Sequence, residues 1–87
     1  MSLKTKALSL GATDFGKSTV KNKKYYVIYD GKKINFGEAG ASDYTIHRDN
    51  ERRKRYRMRH SKIKLKDGSL AYLDKRQPAY WSYRILW

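Results

Sequence analysis

The 87-residue sequence contains no cysteine, a single proline and only 8 acidic residues. Without cysteine, the chain can form neither a disulfide framework nor a thiolate metal site. Its apolar runs fall far short of the roughly 18 residues that a membrane-spanning helix requires. These absences argue against a disulfide-rich secreted module, a cysteine-based zinc domain and a membrane-spanning protein.

Basic residues dominate the composition instead. The 21 Lys and Arg residues give a formal net charge of +13, and 39% of the residues are hydrophobic. A chain of this length buries only about 60% of its unfolded surface, so a domain of marginal stability is expected. The composition therefore predicts a small basic domain that binds an acidic partner or completes its fold within a larger assembly.

The first 22 residues differ from the rest because Ser, Thr, Lys, Gly and Ala predominate there. Such a composition does not close a core, so residues 1–22 are predicted to form an extended N-terminal arm and residues 23–87 the domain. The arm has scattered hydrophobic side chains that would dock into a neighbouring protein, the alternative being a disordered tail. These arm-docking residues are Leu3, Leu8, Leu10 and Phe15.

A β-hairpin gives the clearest local pattern. The runs 24–29 and 33–36 are rich in β-branched and aromatic residues and flank Asp30-Gly31. Asp and Gly tolerate the positive φ angles of a two-residue hairpin turn, which places Tyr26 opposite Asn35.

Helices are predicted after the hairpin. Acids precede bases along residues 43–60, the order that a helix dipole favours, so one helix or two with a kink is expected there. A second hairpin is predicted about Asp67-Gly68, with residues 70–73 returning, and Pro78 suits the first turn of a final helix.

The predicted fold class is therefore α+β, a small single domain. In it the hairpin packs on a basic helix and on an aromatic C-terminal helix, and the extended arm precedes both. The predicted core comprises Tyr26, Val27, Ile28, Ile34, Phe36, Tyr44, Tyr80, Trp81, Ile85 and Trp87.

Catalytic patterns are weak in this sequence. Residues 11–18 match the phosphate-loop pattern, but neither a preceding buried strand nor room for a parallel sheet accompanies them, so the match is attributed to chance. His47 and His60 are the only histidines, and without cysteine they make no zinc set. Asp30 and Asp67 serve as turn residues. No catalytic, metal or cofactor-binding residue is predicted, and the protein is expected not to be an enzyme.

A dense basic run is the main candidate site. If it is helical, Arg52, Arg55 and Arg59 share one face, and Arg53 and Arg57 share another. Such columns neutralise phosphates, yet charge alone does not separate nucleic acid from an acidic protein. The predicted partner- or polyanion-binding residues are Arg48, Arg52, Arg53, Lys54, Arg55, Arg57, Arg59, Lys62, Lys64 and Lys66.

Several blocks in order resemble a known family. They are NKKYYVIYDGKKINFG (22–37), DYTIHRD (43–49), ERRKRY (51–56) and the closing YWS (80–82) and ILW (85–87). Together they are similar to small, basic, mostly uncharacterised proteins of large nucleocytoplasmic DNA viruses, chiefly algal and amoebal viruses. The resemblance implies a viral origin and, for some members, presence in the particle.

The sequence and the resemblance together lead to a functional expectation. It is a non-enzymatic minor capsid protein on the inner face of a virion, made in the infected host cell and bridging major and minor capsid proteins. The alternative is a non-specific DNA-binding or DNA-condensing protein packaged with the viral genome, and a third hypothesis is a host-acting nuclear protein.

Overall fold

Three antiparallel strands in the order β1-β2-β3 form the sheet, according to a computed structural model that describes residues 2–87. Four helices accompany the sheet, so the chain is an α+β single domain. The elements are α1 (Leu3–Ser9), β1 (Asp14–Lys17), β2 (Lys23–Tyr29), β3 (Lys32–Glu38), α2 (Tyr44–His47), α3 (Asn50–His60), a 3₁₀ turn (Ala71–Leu73) and α4 (Pro78–Trp81), which continues as a π-helical segment (Ser82–Leu86).

The β2–β3 hairpin forms as predicted. Its turn residues Asp30 and Gly31 have φ angles of 51° and 74°, the left-handed values that a two-residue hairpin turn requires. Tyr26 lies opposite Asn35, the predicted register.

Two short helices, α2 and α3, occupy the segment predicted to be one helix or a kinked pair. Arg48 separates them in a left-handed conformation with φ of 55°. The Asp43 side chain accepts a hydrogen bond from the Thr45 main-chain N–H at the start of α2, and Asp49 does the same for α3. The buried Asp43 carboxylate also contacts the Lys24 ammonium at 2.5 Å, which ties α2 to the sheet.

The core lies between the sheet and α4. Trp81 is fully buried, and its indole N–H donates to the Lys75 carbonyl at 2.8 Å, so the ring loses no hydrogen bond on burial. The buried residues are Ala7, Ala12, Val27, Ile34, Phe36, Ala71, Tyr80, Trp81, Ile85 and Leu86.

Four residues predicted for the core are only partly buried: Tyr26, Ile28, Tyr44 and Trp87. Side chains alternate along a strand, so Tyr26 and Ile28 project from the sheet face opposite the buried Val27. Tyr26 instead covers Gly16, where an added Cβ would lie 2.8 Å from the tyrosine ring.

The extended arm predicted over residues 1–22 is replaced, in its described part, by α1 and the edge strand β1. Strand β1 pairs with β2 and so covers a hairpin edge that would otherwise stay unpaired. Of the predicted docking residues, Leu3, Leu10 and Phe15 pack against the chain's own core, while Leu8 is 41% exposed. Most of the apolar side chains that were predicted to dock into a neighbouring protein are therefore covered by the chain's own fold.

The second hairpin is also different from the prediction. A turn forms around Asp67-Gly68, but a single bridge between Lys64 and Leu70 is its only strand pairing. The returning segment becomes the 3₁₀ turn, and the Tyr72 carbonyl accepts a hydrogen bond from the Arg84 guanidinium instead of from a strand partner. No helix in the described part of the chain has the length and apolar character needed to cross a bilayer.

Replacing Trp81 with alanine tests the assignment of the core. Because the ring is fully buried, Trp81→Ala should lower the free energy of unfolding by about 3–5 kcal/mol in urea denaturation. Leu73→Ala is the control, since Leu73 is 55% exposed and its loss should cost less than about 0.5 kcal/mol. Equal effects of the two changes would contradict a core centred on Trp81.

Candidate polyanion-binding face

Helix α3 packs two aromatic rings and two arginines against the domain, and its other basic side chains are exposed. Tyr56 and His60, with Arg53 and Arg57, are half-buried against the domain. The remaining predicted binding residues are exposed: Arg48, Arg52, Lys54, Arg55, Arg59, Lys62, Lys64 and Lys66.

An aromatic stack anchors the inner side of α3. The Tyr56 ring lies parallel to the Trp87 indole at 4.1 Å between centroids, and His60 stacks on Tyr56 at 3.8 Å. Tyr56 and His60 are four residues apart, so the helix itself brings their rings together. Because α3 has no stripe of aliphatic side chains, these stacked rings are what packs it against the rest of the domain.

Arg53 and Arg57 complete this attachment. Their Nε atoms donate to the main-chain oxygen of Trp87 at 2.6 Å and 3.2 Å. Their guanidinium groups also lie over the rings of Tyr44 and Tyr83, at 4.6 Å and 4.8 Å from the centroids. The two arginines therefore share a face, as predicted, but the structure places their donors inside the domain.

Arg52, Arg55 and Arg59 form the outer face, which is again the predicted grouping. Together with the edge of Trp87 they line a concavity of about 370 Å³. Within residues 2–87 the Lys24–Asp43 contact is the single ion pair, so none of these three guanidinium groups is paired with a carboxylate of the described chain. We call this set the outer arginine face.

Two bases next to α3 have lowered pKa values, chiefly because burial disfavours their charged forms and secondarily because of the α3 arginines. Burial, and then the charge of Arg59, lowers the pKa of His60 below its ordinary value. Burial, followed by Arg53 and Arg57, likewise lowers the pKa of Lys6. Both shifts have the sign expected for bases that would add positive charge to an already positive region.

Sequence reasoning missed two contributors to this site. Trp87, predicted for the core, packs against the core while half-buried and also lines the concavity of the outer arginine face. Lys23, at the start of β2, was not assigned to any site and lies in a groove with Arg52 and Arg59. No local pattern points to Lys23, because only the tertiary fold brings the start of β2 next to α3.

The depressed pKa of His60 makes stability depend on pH. The unfolded chain takes up a proton near pH 6.5, before the folded chain does, so stability is complete above that pH and declines below it. The free energy of unfolding should therefore be lower at about pH 5 than at about pH 7.5. His60→Gln should remove most of this difference in urea denaturation, while Met58→Gln, an exposed change on the same helix, should retain it. Stability that is equal or higher at the lower pH would contradict the assignment.

Comparison with known proteins extends the description to a family. No curated protein and no solved structure matches the chain. One family profile matches residues 13–60, which span the three strands, α2 and α3 and amount to more than half of the chain. The matched part contains the outer arginine face, whereas α1, α4 and Trp87 lie outside it. The chain therefore belongs to a family of unknown function (DUF5754).

Proposed function

We propose that this protein is a non-enzymatic DNA-binding or DNA-condensing protein that holds nucleic acid through phosphate contacts made by helix α3. The observation that supports the proposal is the outer arginine face, where Arg52, Arg55 and Arg59 are exposed, adjacent and free of ion pairs among the described residues. Guanidinium groups bind phosphate oxygens through charged, often bidentate hydrogen bonds, which suits this arrangement.

The spacing of the three arginines sets the number of phosphates that they could reach. A helix rises about 1.5 Å per residue, so Arg52 and Arg59 are separated by about 10 Å along α3. One strand of duplex DNA presents a phosphate about every 3.4 Å of axis, or about three phosphates over that length. Because the strand also winds around the axis, a straight helix does not follow it, and only the length and flexibility of the arginine side chains would let the three guanidinium groups reach successive phosphates.

The outer side of α3 favours phosphate contacts over reading of bases. Asn50, the only side-chain amide of the helix, accepts a hydrogen bond from the Tyr44 hydroxyl. The helix otherwise presents Glu51, Met58 and cations outward, and arginine and lysine can donate to phosphate oxygens as well as to guanine. We propose that binding is independent of sequence, because no motif for base readout accompanies these cations.

A second proposal is the minor capsid protein of a large DNA virus particle. Six large apolar side chains of the described residues stay exposed, namely Ile46 (64%), Leu73 (55%), Met58 (54%), Val20 (46%), Ile63 (45%) and Leu8 (41%). Neighbouring capsid proteins would cover such residues, and acidic neighbours would balance the cations. The folded α1 and β1 supply no free arm, so in this proposal the bridging contacts come from the surface of the domain.

Neutralising the outer arginine face tests the first proposal. The triple variant Arg52→Gln, Arg55→Gln, Arg59→Gln should weaken binding to a mixed-sequence duplex on the order of 100-fold at low salt. The plot of log affinity against log salt should become shallower by about 2.7, because three phosphate contacts are lost. Fluorescence anisotropy at several salt concentrations measures both quantities.

A matched triple variant distinguishes the effect of the outer arginine face from the effect of net charge. Lys4→Gln, Lys21→Gln and Lys32→Gln remove the same charge from exposed positions outside α3. This variant should change the affinity far less than the arginine variant does. Equal losses in the two variants would show that net charge alone attracts the duplex, and the proposal that α3 binds it would fail.

Particle fractionation tests the capsid proposal. Purified virus particles are opened, treated with nuclease and washed at moderate salt, and the protein is then located. Retention with the shell in a defined copy number is the outcome expected of a minor capsid protein. Release with the digested DNA would support the genome-associated role instead, and absence from the particle would contradict both and favour a host-acting protein.

A further inference from the structure

A second concave site lies at the end of the sheet, on the side of α3 next to the hairpin. It is a groove of about 430 Å³ between the open end of the β2–β3 hairpin and helices α3 and α4. Lys23 of β2 lines it together with Arg52 and Arg59 of α3. Cationic residues far apart in the sequence therefore border one space.

The charges in this groove do not cancel. Lys24 is already paired with the buried Asp43, so that pair contributes little net charge. Lys23, Arg52 and Arg59 form no ion pair within the described residues, and Glu38 is the one other carboxylate that lines the groove. The groove thus holds an excess of two positive charges over a short distance, and an anion would relieve their repulsion.

A neutral donor completes the lining. The half-buried Ser42 carries a hydroxyl group that can donate a hydrogen bond, whereas the Ser82 hydroxyl faces the Tyr56 side chain. The stacked Tyr56 and His60 rings form one wall of the groove, and this wall restricts which anions fit. Several cationic residues and a hydroxyl donor thus border one concave space. These features are typical of a site that binds a single tetrahedral oxyanion.

We propose that this groove binds a single phosphate group of the nucleic-acid backbone, with Lys23 as a binding residue supplied by the sheet. The inference rests on the proposed function for the source of that phosphate. Arg52 and Arg59 belong to both the groove and the outer arginine face, so the groove fixes one phosphate while the face follows the neighbouring ones. Lys23 then sets where the strand leaves α3 and meets the sheet.

Inorganic phosphate is the first probe. It is titrated into the full-length protein at constant ionic strength, with chloride as the balancing ion, and amide chemical shifts are followed by NMR. Saturable shifts are expected at the groove residues Ser42, Arg59 and His60. Shifts that grow without saturation, or that spread equally over all basic segments, would overturn the proposal.

Matched lysine variants locate the site. Lys23→Gln should weaken phosphate binding about tenfold, through loss of a charged hydrogen bond. Lys32→Gln removes an equally exposed lysine from the other end of the same hairpin and should leave phosphate binding unchanged. Glu38→Gln should tighten binding, since it removes the opposing carboxylate. Equal effects of Lys23→Gln and Lys32→Gln would overturn the role of Lys23.

The same variants, tested with duplex DNA, keep this inference distinct from the proposed function. Lys23→Gln should weaken duplex binding more than Lys32→Gln does. It should also reduce the slope of log affinity against log salt by about 1, the change expected when one phosphate contact is lost. If the duplex binds but the two lysine variants behave alike, the groove proposal fails and the role of the outer arginine face stands. If the duplex does not bind while phosphate still saturates the groove, the proposed function fails and the anion site remains.

Discussion

Attachment of helix α3 through Trp87 is the contact on which the exposed surface of this protein depends. The helix has no aliphatic stripe, so ordinary hydrophobic packing does not hold it. Instead Tyr56 stacks on the Trp87 ring, and Arg53 and Arg57 donate to the Trp87 main-chain oxygen. Since these groups use one side of the helix, Arg52, Arg55 and Arg59 on the neighbouring side remain exposed to a partner.

A second junction orients the helices on the sheet. Asp43 is buried, and a buried carboxylate is costly unless charge and hydrogen bonds compensate it. Lys24 supplies the charge and Thr45 the hydrogen bonds, so Asp43 both begins α2 and links it to β2. Lys24 and Asp43 also line the groove described above, so this link forms part of its wall.

Local patterns predicted much of the fold. The Asp30-Gly31 hairpin, the break within residues 43–60 and the start of α4 at Pro78 each follow from residues next to one another in the chain. Predictions were wrong where contacts between distant residues determine the local structure. The segment 1–22 has a weak apolar pattern, yet pairing of β1 with the hairpin edge gives it a strand, and the return from Asp67-Gly68 turns into a 3₁₀ segment instead of a strand.

By itself, the sequence determined the α+β class, the hairpin register and the division of the α3 arginines into two faces, because backbone periodicity and turn chemistry act over a few residues. Only the tertiary structure decided which face turns inward, since that depends on Trp87, some thirty residues away. It also brought Lys23 and Arg52 to one groove. A local pattern leaves the two arginine faces equivalent and long-range packing decides between them, so the sequence predicted both faces but not which of them stays open to a partner.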